Sequence, residues 1–144
     1  MDLHASVDDL AKLMKGSDAV YFTAGSRGKD LLQTDAFGAV KTMQAAKKLG
    51  IERYIMLSSI FALQPDMWHI DGLDQIMDYN VAKYFADNYL VNQSGLKYTI
   101  LQPTNLTEEE GTGKISLDVT GVTSNPIPDV AKTLAEILKH DNTI

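Results

Sequence analysis

Tyr79 and Lys83 stand four residues apart, and on a helix that spacing puts a phenol and an ammonium one turn apart on one face. An adjacent cation favours the phenolate, which brings a tyrosine toward exchanging a proton with a carbonyl or an alcohol. The same ammonium is also suited to donating to sugar hydroxyls. Spacing alone is weak support, because six tyrosines and eleven lysines would give roughly 0.4 such pairs by chance, and an ordinary surface pair on a helix is the commoner case. Ser58 and Ser59 form the second element. They close an apolar run, Tyr54–Leu57, and a serine there can hold a substrate oxygen toward a tyrosine acid; serine also commonly ends strands for no chemical reason. The order strand, serine pair, loop, Tyr-Lys helix is more informative than either element.

Helices and strands alternate around these residues. Ser6 is placed as the N-cap of a helix with Asp8 and Asp9 in its first turn and Leu10, Leu13 and Met14 on one face, closed at Gly16. Ala19–Thr23 reads as a buried strand followed by the small-residue loop Ala24–Gly28. A long helix from Asp30 to Leu49 is expected to turn Phe37, Val40, Met43 and Leu49 inward, with Gly50 and Ile51 as its stop. Residues 60–73 form a long connection, Leu73–Asn92 a helix, Tyr98–Leu101 a strand, Lys114–Val119 a half-exposed strand, and Asp129–His140 a final helix started by Pro126 and Pro128. Its buried side is expected to carry Val130, Leu134, Ile137 and Leu138. Such alternation implies an α/β fold with right-handed crossovers and a parallel sheet. Ligands of these sheets bind beyond the carboxyl ends of the strands, where the loops Ala24–Gly28, Ser58–Gly72 and Gln102–Gly113 converge.

Composition narrows the class. The 144 residues suit one domain, with 44% hydrophobic and 22% charged residues. The net charge of −6 and scattered lysines argue against nucleic acid as partner. There are no cysteines, and His4, His69 and His140 show no metal-ligand spacing, so no metal is expected. Apolar runs are strand-length, which excludes a membrane span, and Asp2, Asp8 and Asp9 interrupt any secretory h-region, so a cytoplasmic location is the default.

The ordered motifs resemble a known family. The run Lys47–Ser59, the pentapeptide Tyr79–Lys83, the run Ser94–Pro103, and the segments Glu110–Ile115 and Ile127–Ala131 are similar to atypical and extended short-chain dehydrogenase/reductases, above all the NmrA-like NAD(P)H-binding set with its epimerase/dehydratase and flavin- or biliverdin-reductase-like members. The resemblance implies a three-layer NAD(P)-binding Rossmann-like fold in one domain over residues 1–144, and a cofactor, NAD or NADP. It implies Tyr79 as catalytic acid, Lys83 as its partner and ribose contact, and Ser59 (or Ser58) as ligand of the substrate oxygen. Asp2 and Leu3 match the pair that approaches the adenine, Ala24 and Gly25 would line the adenosine side, and Gln102-Pro103 would border the nicotinamide, where relatives usually carry arginine before the proline. Lys41 points toward the site in the family; as a plain residue it reads as a surface lysine. Trp68 either stacks on a flat substrate or packs its loop down.

The chain departs from the family in lacking a G-x-G-x-x-G turn, the element that holds the pyrophosphate. Gly111-Thr112-Gly113 lies in the wrong context, Arg27 reads as a solvated loop charge, and Glu108–Glu110 as an acidic turn. The start corresponds to the end of the family's third strand, so the fold is expected to be N-terminally truncated. With the family order 3-2-1-4-5-6, that exposes one edge of strand 19–23 and invites a homodimer through it. The implied function is hydride transfer between NAD(P)H and a small carbonyl, sugar-nucleotide or flavin-like substrate. The rivals are a non-catalytic dinucleotide-sensing module and an inactive self-associating fragment.

Overall fold

The computed structural model describes residues 1–70, 72–117 and 121–143. Three parallel strands, β1 (Ala19–Phe22), β2 (Arg53–Leu57) and β3 (Lys97–Leu101), form a sheet of order β1-β2-β3. Ala19 lies against Arg53 and Tyr54 against Tyr98, so Tyr21, Ile55 and Thr99 make one row across the sheet while Phe22, Met56 and Ile100 make the next. Because side chains alternate between faces along a strand, these rows point to opposite sides. Phe22, Tyr54 and Met56 pack with Leu10 and Met14 of α1 (Val7–Met14), Ala39 and Met43 of α2 (Phe37–Leu49), and Ala86 and Leu90 of α3 (Met77–Asn92). The other face meets α4 (Ile127–Ile137) and the turn after it. Tyr21 donates its hydroxyl to the Leu134 carbonyl at 2.9 Å, and Thr99 bonds to Thr143. The result is three layers, with α1–α3 on one face and α4 on the other.

Local chemistry explains the boundaries. Ser6 Oγ accepts from Asp9 N at 3.2 Å and caps α1. Gly50 adopts φ +74°, and Ile51 N reaches back to the Ala46 carbonyl at 3.0 Å, the paired bonds of a Schellman stop. Leu13, expected on the buried face of α1, is 65% exposed, since α1 lies along α2 by a stripe only as wide as Leu10, Ala11 and Met14.

The long helix departs from expectation at its start. Leu31–Ala36 is π-helical, and α-helix begins only at Phe37. The inward face of α2 is lined mostly by the small residues Gly38, Ala39, Thr42, Ala45 and Ala46. Asp35 and Ala36 become buried, Phe37 is turned out at 50% exposure, and Leu49 also lies outside the core. Lys41 is neither a surface lysine nor part of the loop cluster at the strand ends. It is buried, lies against the Phe37 ring and donates to the Ala5 carbonyl at 3.0 Å, its apolar stem covered by neighbours.

Two short strands were not expected, β4 (Asn105–Thr107) and β5 (Ser124–Pro126), which pair in parallel. The strand expected over Lys114–Val119 does not form over residues 114–117, where Ile115 and Leu117 are exposed; residues 118 and 119 lie outside the described ones. Leu138, expected inside, follows the end of α4 and is exposed. Among the described residues, no helix is long and apolar enough to cross a membrane.

Candidate functional site

The ladder of β2 and β3 runs on past the strand ends. Ser58 N donates to the Leu101 carbonyl at 2.8 Å and Ile60 N to that of Pro103 at 3.0 Å, which fixes Ser58, Ser59, Gln102 and Pro103 at one corner of the sheet. Helix α3 brings Tyr79 and Lys83 to the same corner. The two serines divide by direction, as neighbours in a strand must. Ser58 is buried and gives its hydroxyl to Asp87 Oδ2 at 2.6 Å. Ser59, half-buried on the other side, lies near the Tyr79 phenol and draws its pKa down.

Lys83 is 3% exposed, its Nζ bonded to the Leu57 carbonyl at 3.4 Å and 5.6 Å from the centre of the Tyr79 ring. It therefore lies against the face of the ring, a cation–π placement. The phenol does not ionise more readily for it. Burial, followed by the negative charge of Asp35, pushes the Tyr79 pKa up, and the nearby Ser59 hydroxyl only partly offsets this. The expectation of a lowered tyrosine pKa is thus reversed for the chain alone, because desolvation of the phenolate and the charges of Asp35 and Asp87 set the direction. Burial likewise lowers the Lys83 pKa, with Asp35 and Asp87 pulling it back up.

Those two carboxylates are the residues that sequence reasoning missed. Asp87, one turn beyond Lys83, is fully buried and accepts from Ser58 and, at 3.3 Å, from Gln102 Nε2. Desolvation raises its pKa to about 6 against the hydrogen bonds and Lys83. Asp35, fully buried on the π-helical turn, accepts from Ser26 N at 2.9 Å. One oxygen of each, together with Ser26 Oγ, is buried without a hydrogen-bond partner. The i, i+4 relation of Lys83 and Asp87 was visible in the sequence; that both would be buried was not.

The remaining expected positions are spread more widely. Ala24 packs on the main core, and Gly25 follows it in the loop after β1, where an added Cβ would lie 3.3 Å from Asp35 Oδ1. Leu3 lies against Gly38 at the start of α2, and Asp2 accepts from His4 N at 2.9 Å, so neither touches the Tyr79 group. Arg27 is exposed with φ +53°. Trp68 is buried against Ile60, Phe61 and Leu73, its Nε1 donating to the Phe61 carbonyl at 2.9 Å and its ring edge-on to Tyr84. The indole packs its loop down. The amides of Thr112 and Gly113, which a phosphate would need, are both taken by Asp129 at 2.8 Å. A cavity of about 440 Å³ opens beyond β3, walled by Gln102, Pro103, Thr104, Ser124, Asn125 and Thr133 among others, and Tyr79 is not in its wall. Among the described residues, no three His, Asp or Glu side chains are grouped to hold a metal.

A parallel sheet whose strand ends gather a tyrosine, a buried lysine and a serine defines an α/β dinucleotide-binding protein. The chain belongs to the NAD(P)H-binding family, whose model matches residues 2–141. It is 40% identical over 149 residues to the uncharacterized sugar epimerase YhfK of Bacillus subtilis, a match covering 99% of this chain and 66% of that protein. The crystal structure of the oxidoreductase ylbE from Lactococcus lactis superposes with a TM-score of 0.97 at 46% identity, over 100% of this chain and 66% of that one. A short-chain dehydrogenase/reductase from Veillonella parvula, solved in complex with NADP, shares the fold at a TM-score of 0.69 and 18% identity, over 94% of this chain and 62% of that one. The chain thus spans about two thirds of the length of these relatives.

Proposed function

We propose that this chain carries the proton-transfer side of an NAD(P)H-dependent oxidoreductase or epimerase, with Tyr79 as acid, Lys83 as its electrostatic partner and Ser59 as ligand of the substrate oxygen. The observation that carries this reading is the Lys83 ammonium 5.6 Å from the centre of the Tyr79 ring, with the Ser59 hydroxyl on hand to lower the pKa of the same phenol. A phenol whose pKa is raised by burial is protonated at neutral pH, which suits a donor. A bound nicotinamide supplies the hydride to a carbonyl carbon. Tyr79 then gives its proton to the carbonyl oxygen, Ser59 holds that oxygen, and the charge of Lys83 stabilises the phenolate left behind. In the oxidative direction the same groups run in reverse.

The residues present fit the nicotinamide-ribose half of the cofactor. Lys83 offers a buried ammonium, and Gly25 leaves open backbone at a point where a side chain would crowd Asp35. Gln102 and Pro103 also line the cavity beyond β3, whose wall mixes Thr104, Ser124 and Asn125 with Ile115, Leu117 and Val130 and so suits a substrate that carries both hydroxyls and an apolar face. Ala24 is assigned to the adenosine side, and Asp2 and Leu3 to the adenine. No described segment offers the glycine turn and helix start that hold a pyrophosphate.

Titrating the chain with NADPH and with NADH, read by fluorescence and calorimetry, is expected to give saturable binding in the micromolar range that weakens in Lys83→Met. Absence of binding up to millimolar dinucleotide would remove the reading for this polypeptide. We also propose that β1 pairs with β1 of a second copy. Among the described residues it is bonded only to β2, leaving apolar Ala19–Phe22 with one free edge. Light scattering at micromolar concentration is expected to give twice the chain mass, and the monomer mass at all concentrations would sink the idea.

A further inference from the structure

The site rests on a polar floor that the reaction as proposed does not use. Asp87 joins three elements at once. It accepts the Ser58 hydroxyl from the end of β2 and the Gln102 amide from the end of β3, and it stands on α3 one turn from Lys83. A carboxylate with no exposed surface is unusual unless it is fully paired. Here Oδ1 has no partner at all, so the buried charge is balanced only in part. An asparagine would make the same two bonds without that penalty. The placement of an ionisable group at this point therefore asks for a role that depends on its charge.

We propose that Asp87 is the positioning residue of the Tyr79–Lys83 pair: ionised, it anchors Ser58 and Gln102 and keeps Lys83 charged, and on protonation it releases that hold, so that proton transfer is switched by pH. This rests on the reading of Tyr79 and Lys83 as the proton-transfer pair.

The titratable groups facing Asp87 can be named. On α3 they are Lys83 and Tyr79; on β2 it is Tyr54, whose phenol donates to Thr42 Oγ1 deep in the core; across Lys83, on the π-helical turn, it is Asp35. Lys83 alone among them is cationic, and the charges of Asp35 and Asp87 together hold its pKa up against burial. Removing the Asp87 charge lowers the Lys83 pKa and, by relieving repulsion of the phenolate, the Tyr79 pKa as well. Because the Asp87 pKa is raised to about 6 from 3.8, its contribution to stability is fullest in acid and is lost as the pH climbs through about 6.

The test follows resonances of the cofactor-free chain by NMR: the Asp87 carboxyl carbon, the Lys83 ε-carbon and the Tyr79 ζ-carbon, the last two assigned through Lys83→Met and Tyr79→Phe. In the wild-type chain Asp87 is expected to titrate near 6. In Asp87→Asn both Lys83 and Tyr79 are expected to titrate lower, and the melting temperature is expected to rise above pH 6 but not in acid. Lys83 and Tyr79 titrations that stay where they were, or a melting temperature that falls equally at every pH, would overturn the proposal and leave Asp87 a structural acceptor. Should Asp87→Asn not fold, Ser58→Ala serves instead. Loss of the Ser58 bond is expected to move the Asp87 titration upward, and an Asp87 that titrates like an exposed carboxylate in both proteins would equally overturn it. These readouts need no dinucleotide, so their failure is distinct from a failure of NADPH to bind.

Discussion

Lys83→Met is expected to destabilise the protein by about 2–4 kcal/mol near pH 7 and by much less near pH 5. Methionine replaces the lysine stem with a chain of similar volume, so packing changes little. What goes is a cation attracted by both Asp35 and Asp87, each fully buried and each with an orphan oxygen. Breaking a buried pair from one side leaves a charge that nothing compensates. The loss is bounded, because Asp87, so stranded, takes up a proton instead. Holding neutral a group with an ordinary pKa of 3.8 costs about 1.4 kcal/mol for each pH unit above that value, or about 4 kcal/mol at pH 7. Asp87 already bears part of this in the wild-type chain, since its pKa stands near 6. Relief of the lysine's own desolvation acts in the opposite direction and trims the loss. Urea unfolding at both pH values decides the matter. A deficit equal at pH 7 and pH 5 would mean that Lys83 is held by packing and that its charge does not matter to the fold.

That balance marks the boundary of what the sequence made legible. Periodicity, caps and order placed the three parallel strands, the four helices and the corner where Ser59, Tyr79 and Lys83 meet. They could do so because a buried parallel strand is a short apolar run and because Ser6 and Gly50 are chosen by local geometry, which is written in local sequence. Phe37 and Lys41 were misjudged for one shared reason. The inward face of α2 is built mostly from the small residues Gly38, Ala39, Thr42, Ala45 and Ala46, so a pattern read from the large apolar side chains places the wrong residues inside. Asp35 and Asp87 were invisible because acidic residues are nearly always exposed, and only the assembled fold shows the few that are not. The strands β4 and β5 are three residues each and built from Asn, Leu, Thr, Ser and Pro, a composition that reads as turn. The direction of the Tyr79 shift needed the structure too, since spacing gives the distance to a cation but not the depth of burial.

Trp68→Ala is expected to cost about 3 kcal/mol and to open the segment between Ile60 and Leu73 before the rest of the domain unfolds. The indole is the largest member of the cluster with Ile60, Phe61 and Leu73, which packs that segment apart from the main core. It also holds a strained turn. Phe61 adopts φ +55°, a left-handed conformation that a bulky residue takes only at a cost of about 1–3 kcal/mol, and its carbonyl is the acceptor of Trp68 Nε1. Ser59 lies two residues upstream, so the turn that Trp68 clamps also aims Ser59 at Tyr79. Loss of the clamp is therefore expected to move the Ser59 hydroxyl away from the phenol and to raise the Tyr79 pKa further, since that hydroxyl is what lowers it. Trp68→Phe separates the two effects: it keeps most of the packing but removes the N–H donor, at about 1 kcal/mol. Limited proteolysis, thermal melting and the Tyr79 titration read the three consequences. If the alanine variant melts in a single step and residues 60–73 resist cleavage as before, the indole is not the clamp. The aim of Ser59 is then set by the β2–β3 ladder, through the Ser58 and Ile60 amides that pair with β3 beyond the strand ends.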